Sequence, residues 1–246
     1  MRKGDADTTR DTARDTIMAR IREALRVPAP LPHMSSPAVE AAAPAGSHGL
    51  SILPLEVARS WLPDGGDTAA EQLAMLVENL GKLRADVHRT ADLAAAADVV
   101  KALANEKHWR RVAWHAHPAV ESVAAELGCE TCRVDAAFDK NTLETCDAGI
   151  TACEAAVAQT GSILVSSATC GGRGLSILPH AHVVIVMLDQ IVGTLGDALD
   201  LARTRHAGRM PSMLSFITGP SRTGDIERIL VLGAHGPKEL FVILVG

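Results

Sequence analysis

Polar functional groups gather near the end of the chain, between two apolar runs. After the run at 213–218 come Gly219-Pro220-Ser221-Arg222-Thr223, which bring two hydroxyls and a guanidinium into one turn. Glycine lets a backbone approach a ligand closely, and Ser, Thr and Arg donate hydrogen bonds to anions. Arg222 could hold a carboxylate or phosphate with two parallel bonds. The sequence predicts a helix beginning near Gly224 and capped by Ser221 or Thr223. Its free N–H groups would favour the same anion. Asp225 and Glu227 fall in the first turn of that helix. They read as acid, base or an orienting partner for Arg222, or simply as carboxylates favoured by the helix dipole. His235 stands before Gly236-Pro237. A histidine there either carries a proton near neutral pH or bonds its own turn.

A second polar patch lies upstream. Gln159-Thr160-Gly161-Ser162 is a turn that enters an apolar strand, and Thr160 and Gly161 are candidate ligand contacts. Gly171-Gly172-Arg173-Gly174 reads as a mobile connection. It lacks the spacing and the lysine of a Walker loop, although Arg173 could reach an anion. His115-Ala116-His117 and His180-Ala181-His182 are two His-x-His pairs, whose alternate residues share one face of a strand. Four imidazoles would converge on a metal only if the two strands were neighbours. Nothing in the sequence makes them so, and no metal site is assigned.

The five cysteines include one C-x-x-C pair, Cys129 and Cys132, with no further ligands at cluster spacing. They read as reduced thiols used as small apolar residues, so no cofactor is expected on this chain. No serine sits in a nucleophile elbow.

The elements that must position these residues follow from periodicity. Ile17, Ile21 and Leu25 recur every four residues, which predicts a helix over 11–27. Residues 28–48, rich in Pro, Ala and Ser, read as a linker. The chain thus divides into a helix plus linker at 1–50 and a main domain at 51–246. In that domain helices are expected at 67–83, 92–107, 118–127 and 191–205. Strands are expected at 85–90, 111–115, 132–135, 162–166, 182–188, 213–218 and 240–245. Alternating strands and helices imply an α/β sheet, and the nearly all-apolar run from His182 to Leu188 implies a strand covered on both faces. Aromatics make up only 2% of the 246 residues against 47% hydrophobic content, so the core must be aliphatic. A net charge of −5 argues against a nucleic-acid surface. No apolar run reaches membrane-spanning length and no signal-peptide core is visible, so a cytoplasmic location is expected.

The run Gly219-Pro-Ser-Arg-Thr-Gly-Asp-Ile-Glu227, then Leu232-Gly-Ala-His-Gly-Pro237 and a closing Val242-Ile-Leu-Val245, resembles the LUD-domain family, of the lactate-utilisation protein C type. Gly149-Ile150-Thr151, Ala158 to Ser162 and Arg173 to Pro179 add to the likeness. One departure stands out: the residue before Thr160-Gly161 is usually acidic in that family, and here it is Gln159. A glutamine keeps hydrogen bonds but carries no charge.

The resemblance implies a three-layer α/β/α Rossmann-like sheet similar to the sugar-phosphate isomerase and CoA-transferase (NagB/RpiA-like) group. It also implies a part in oxidising L-lactate to pyruvate beside partner proteins that carry the iron–sulfur clusters. In that reading Arg222 holds a carboxylate; Gly219, Ser221, Thr223, Thr160, Gly161, Arg173 and Gly236 shape the pocket; and His235, Asp225 and Glu227 handle protons. Two other readings stay open: a stand-alone enzyme on a phosphate- or CoA-bearing substrate, and a non-catalytic scaffold.

Overall fold

The computed structural model describes residues 15–23, 26, 63–134, 139–223, 231–232 and 236–246. The chain divides into two compact units, Met1–Trp61 and Leu62–Gly246. In the first, residues 15–23 are helical, and Ile17, Met18 and Ile21 on that helix are exposed. The rest of the predicted 11–27 helix, apart from the turn residue Arg26, lies outside the described residues, as does the linker.

The second unit is built on a six-stranded parallel sheet. Its strands are β1 (Asp86–Thr90), β2 (Arg111–Trp114), β3 (Glu130–Arg133), β4 (Ala148–Thr151), β7 (Ala181–Met187) and β12 (Glu239–Val245), in the order β1-β12-β7-β4-β2-β3. The two long strands show why their sequences are apolar throughout. In β7, Val183 and Ile185 enter one core while Val184 and Val186 enter the other. In β12, Phe241, Ile243 and Val245 face the first core; Leu240, Val242 and Leu244 face the second. With a side-chain period of two, a sheet covered on both sides needs apolar residues at every position.

Helices α2 (Leu93–Glu106) and α3 (Pro118–Ala124) cover the first face through Ala96, Val100, Val120 and Val123. Asp92 caps α2 by accepting from the Ala95 N–H, and Pro118 starts α3, where its missing N–H costs nothing. Helix α1 (Ala69–Lys82) covers the second face with Leu76 and Leu80, and its Thr68–Glu71 capping box fixes where it begins. Each fully buried Leu, Ile or Phe in these layers contributes about 2 kcal/mol. This is the expected Rossmann-like arrangement around a parallel sheet.

The second face also carries a small sheet that the sequence did not announce. It contains β5 (Ala155–Val157), β6 (Ser162–Ser166), β8 (Ile191–Val192) and β9 (Leu214–Ile217), in the order β8-β5-β6-β9. Helix α6 (Leu195–Arg205) packs on its outer side, with Ala198 and Ala202 against Ala155, Val157 and Leu164. Two expectations are corrected here. The 213–218 strand does not extend the parallel sheet; as β9 it pairs antiparallel with β6, Ile217 opposite Ile163 and Leu214 opposite Ser166. The 191–205 helix begins only at Leu195, because Ile191 and Val192 pair with Ala156 and Val157 and Thr194 caps the helix behind them.

Short helices α4 (Lys140–Glu144) and α5 (Gly172–Ile177) fill the remaining corner with Leu143 and Leu175. Helix α5 replaces the mobile connection expected at 171–174. It lies so close on β4 that a Cβ at Gly149 would stand 2.5 Å from the Leu175 carbonyl oxygen.

Candidate functional site

Three segments meet around a cavity of about 400 Å³. Helix α5 supplies Arg173, Ser176 and Ile177. Strand β9 and the turn after it supply Met213 through Gly219, then Ser221. Gly236 and Pro237, which lead into β12, close the third side. Each segment is held by a named contact. The Ser221 N–H donates to the Pro237 carbonyl at 2.8 Å, which ties the two Gly-Pro turns together. Gly219 has φ +92°, a conformation that suits glycine, and a Cβ there would sit 3.1 Å from the Leu83 carbonyl oxygen. The Ser176 hydroxyl donates to the Arg173 carbonyl, which locks the first turn of α5.

A chain of hydroxyls runs into the pocket from the β5–β6 turn. Thr160 and Ser162 are 2.8 Å apart at their oxygens, and Ser162 and Thr218 are again 2.8 Å apart. Thr160 therefore acts on the pocket only through buried Ser162. Gly161, at φ +65° in the same turn, packs on Asn79, away from the pocket walls.

The predicted residues thus fall into three groups. Gly219, Ser221, Arg173 and Gly236 come together around the cavity. Arg173 is exposed, and its guanidinium has no hydrogen-bond or ion-pair partner among the described residues. Arg222 is exposed and stands outside the pocket walls. It belongs with Thr223 to the two-residue strand β10 (Arg222–Thr223), antiparallel to β11 (Val231–Leu232). The turn therefore enters a two-stranded ladder, where a helix cap was expected. Asp225, Glu227 and His235 lie outside the described residues, as does the helix expected from Gly224. The pocket also departs from the rule that ligands sit beyond the carboxyl ends of a parallel sheet, because β9 belongs to the small sheet.

The His-x-His pairs are separated by β4, which lies between β2 and β7. His115 Nε2 accepts from the Ala152 N–H at 3.1 Å, and His182 Nε2 lies 2.8 Å from the Thr151 hydroxyl. Burial, and to a lesser extent the His117 ring, pushes His115 down to about 4; burial alone pushes His182 down to about 3. Both are neutral hydrogen-bonding groups at physiological pH. Among the described residues no cluster of three or more His, Cys, Asp or Glu could hold a metal.

Sequence reasoning missed a buried carboxylate. Glu154 has no exposed side-chain surface. It accepts from the Ser166 hydroxyl at 2.6 Å, from Thr169 and Arg205 at very short range, and lies 2.9 Å from His206 Nε2. Burial pushes its carboxyl up, but the bonds from Ser166, Thr169, His206 and Arg205 outweigh that and hold it at about 2. The available signal was a lone acid inside the otherwise small and apolar run 152–158. Gln159 is also explained locally: its amide donates to the Pro63 carbonyl, a bond that an ionised carboxylate could not make.

The LUD domain family model matches residues 73–245. A Lactate utilization protein C of Deinococcus radiodurans is 36% identical over 122 residues, covering 49% of this chain and 56% of that protein. The Lactate utilization protein C of Bacillus subtilis is 38% identical over 104 residues, covering 42% and 43%. The chain thus spans about half the length of the curated relatives it matches. The crystal structure of a DUF162 family protein from Deinococcus radiodurans is similar with a TM-score of 0.58 at 28% identity, over 74% of this chain and 100% of that one.

Proposed function

Because this chain belongs to the LUD-domain family, we propose that it serves L-lactate utilisation in the cytoplasm, and that the pocket between Arg173 and Ser221 binds an organic anion there. The observation that carries the reading is the convergence of Arg173, Ser221, Gly219 and Gly236 from three segments on one cavity. A guanidinium unpaired among the described residues, lining one cavity with a hydroxyl and glycine-opened backbone, suits a carboxylate. The names of the matched relatives supply the pathway.

Oxidising a 2-hydroxy acid removes a proton and a hydride equivalent. Arg173 orients the acid, and His235, adjacent in sequence to Gly236, takes the hydroxyl proton. The two electrons of the hydride equivalent leave through iron–sulfur partner proteins and its proton passes to water, since this chain's single C-x-x-C pair lacks the ligand spacing of a cluster. No helix among the described residues is long and apolar enough to cross a membrane.

The test has two parts. Calorimetric titration with L-lactate and with pyruvate should show binding, and Arg173→Ala should weaken it about tenfold or more with folding intact, as loss of a charge-assisted bond requires. A tagged chain pulled from lactate-grown cells should bring down cysteine-rich iron–sulfur proteins. Affinity indifferent to Arg173→Ala refutes the site, and recovery of the chain alone refutes the stable complex.

A further inference from the structure

We infer that the pocket is shaped for an elongated amphipathic anion, with an apolar body well beyond the three carbons of lactate; this rests on the anion-site reading above. Three independent features of the cavity point the same way.

The first is size. About 400 Å³ is room for about a dozen waters at ~30 Å³ each, and pockets in that range ordinarily hold ligands much larger than a three-carbon acid. The second is the apolar share of the lining. Beside Arg173, Ser221 and Gly219 the walls include the apolar Ile177, Met213 and Phe216. These three wall residues are only half-buried. Each keeps apolar surface that the core does not use, and contact with an apolar ligand body would remove it from water.

The third feature is the backbone of the wall. Among the described residues β9 is an edge strand, paired on one side only with β6. In an antiparallel ladder alternate residues direct their N–H and C=O groups away from the partner. The outward groups of Leu214–Ile217 have no partner among the described residues. A ligand lying along β9 therefore meets donors and acceptors unpaired among the described residues, beside its apolar contacts, with its charge on Arg173. A compact acid held at Arg173 would leave both the apolar wall and these outward groups unused.

Calorimetric titration of the full chain with L-lactate, L-2-hydroxy-4-methylpentanoate and L-3-phenyllactate tests this, because the three share a head group and differ only in their apolar body. Affinity should rise about threefold to fourfold per buried methylene, so the two larger acids should bind at least tenfold more tightly than lactate. Met213→Ser, at a wall residue outside the packed core clusters, should abolish that gain, with an unaltered melting temperature showing that the fold survives. Equal affinity for all three acids, or an undiminished gain in Met213→Ser, overturns the inference while leaving the anion site standing. Binding by none of them, or binding indifferent to Arg173→Ala, overturns the anion site and the inference with it.

Discussion

Glu154→Gln removes one charge from the buried network and changes little else in shape, so its cost can be worked from the structure. The carboxyl is held at about 2 against an ordinary 4.5. At ~1.4 kcal/mol per pH unit that difference is on the order of 3 kcal/mol. Glutamine also turns an N–H₂ toward a donor: if it replaces Oε2 it faces Arg205, and if it replaces Oε1 it faces Ser166, Thr169 and His206. Arg205 is 40% exposed, so water recovers part of its lost bond and keeps the total near ~3 kcal/mol instead of the ~5 of a fully buried broken pair. For a unit of this size the melting temperature should fall by roughly 6–12 °C at pH 7. The sign with pH follows from the depressed value. The contribution is fully present above 4.5 and is lost as pH falls toward about 2, so the gap between wild type and Glu154→Gln should narrow between pH 5 and pH 3. Denaturant unfolding of both proteins across that range measures the gap directly. A loss under about 1 kcal/mol at pH 7, or a gap that does not shrink in acid, refutes the assignment of Glu154 as a buried, hydrogen-bonded anion.

Other expectations follow from the same structure. His115 and His182 are depressed to about 4 and about 3, so the unfolded chain binds more protons just below pH 6.5. Stability of the wild type should therefore decline as pH drops from 6.5 toward 4, and a melting temperature flat over that range would contradict their burial as neutral rings. Gly149→Ala forces a Cβ against the Leu175 carbonyl and should cost about 1–3 kcal/mol. Because α5 must move, anion affinity should drop with it, and a calorimetric titration that matches wild type would show that α5 does not set the position of Arg173. Ser162→Ala breaks the hydroxyl chain from Thr160 to Thr218. It should cost about 1 kcal/mol in denaturant unfolding, whereas no change would mean that the two threonines find equal partners in water.

The parts of the fold legible in the sequence are those where one local rule decides. Strands β7 and β12 are apolar at every position because both faces are covered, and α1 and α2 carry side-chain caps at their starts. What was not legible depends on distant pairing. Strands β4 and β5 are made of Ala, Gly, Ile, Thr and Val and hold no strong strand signal in Ala148-Gly149 or Ala155-Ala156; they are strands because β2, β7, β6 and β8 lie beside them. Helix α5 opens on Gly172-Arg173-Gly174, a poor helical sequence stabilised by the packing of Leu175. At the site, the glycines, Ser221 and Arg173 stood out as polar turn residues, but the apolar wall did not. Leu214 and Phe216 look like ordinary core residues until β9 is known to be the edge of a separate small sheet. Glu154 was hidden for a similar reason: its partners lie 12 to 52 residues away.

The position of β12 has a consequence for the synthesis of this protein. The strand lies between β1 and β7, yet it is made after every other described strand. Thr90 at the end of β1 donates to Leu244, 154 residues further on. At ribosomal speeds of about 5–20 residues per second, β1 waits on the order of ten seconds for its sheet neighbour among the described residues. During that time α1, α2 and the strands from β2 to β7 can assemble only around a gap where the most apolar strand belongs. The nascent chain therefore keeps open, until almost the whole unit has emerged, the edges of β1 and β7 that β12 later pairs, and protection by a chaperone matters most in that interval.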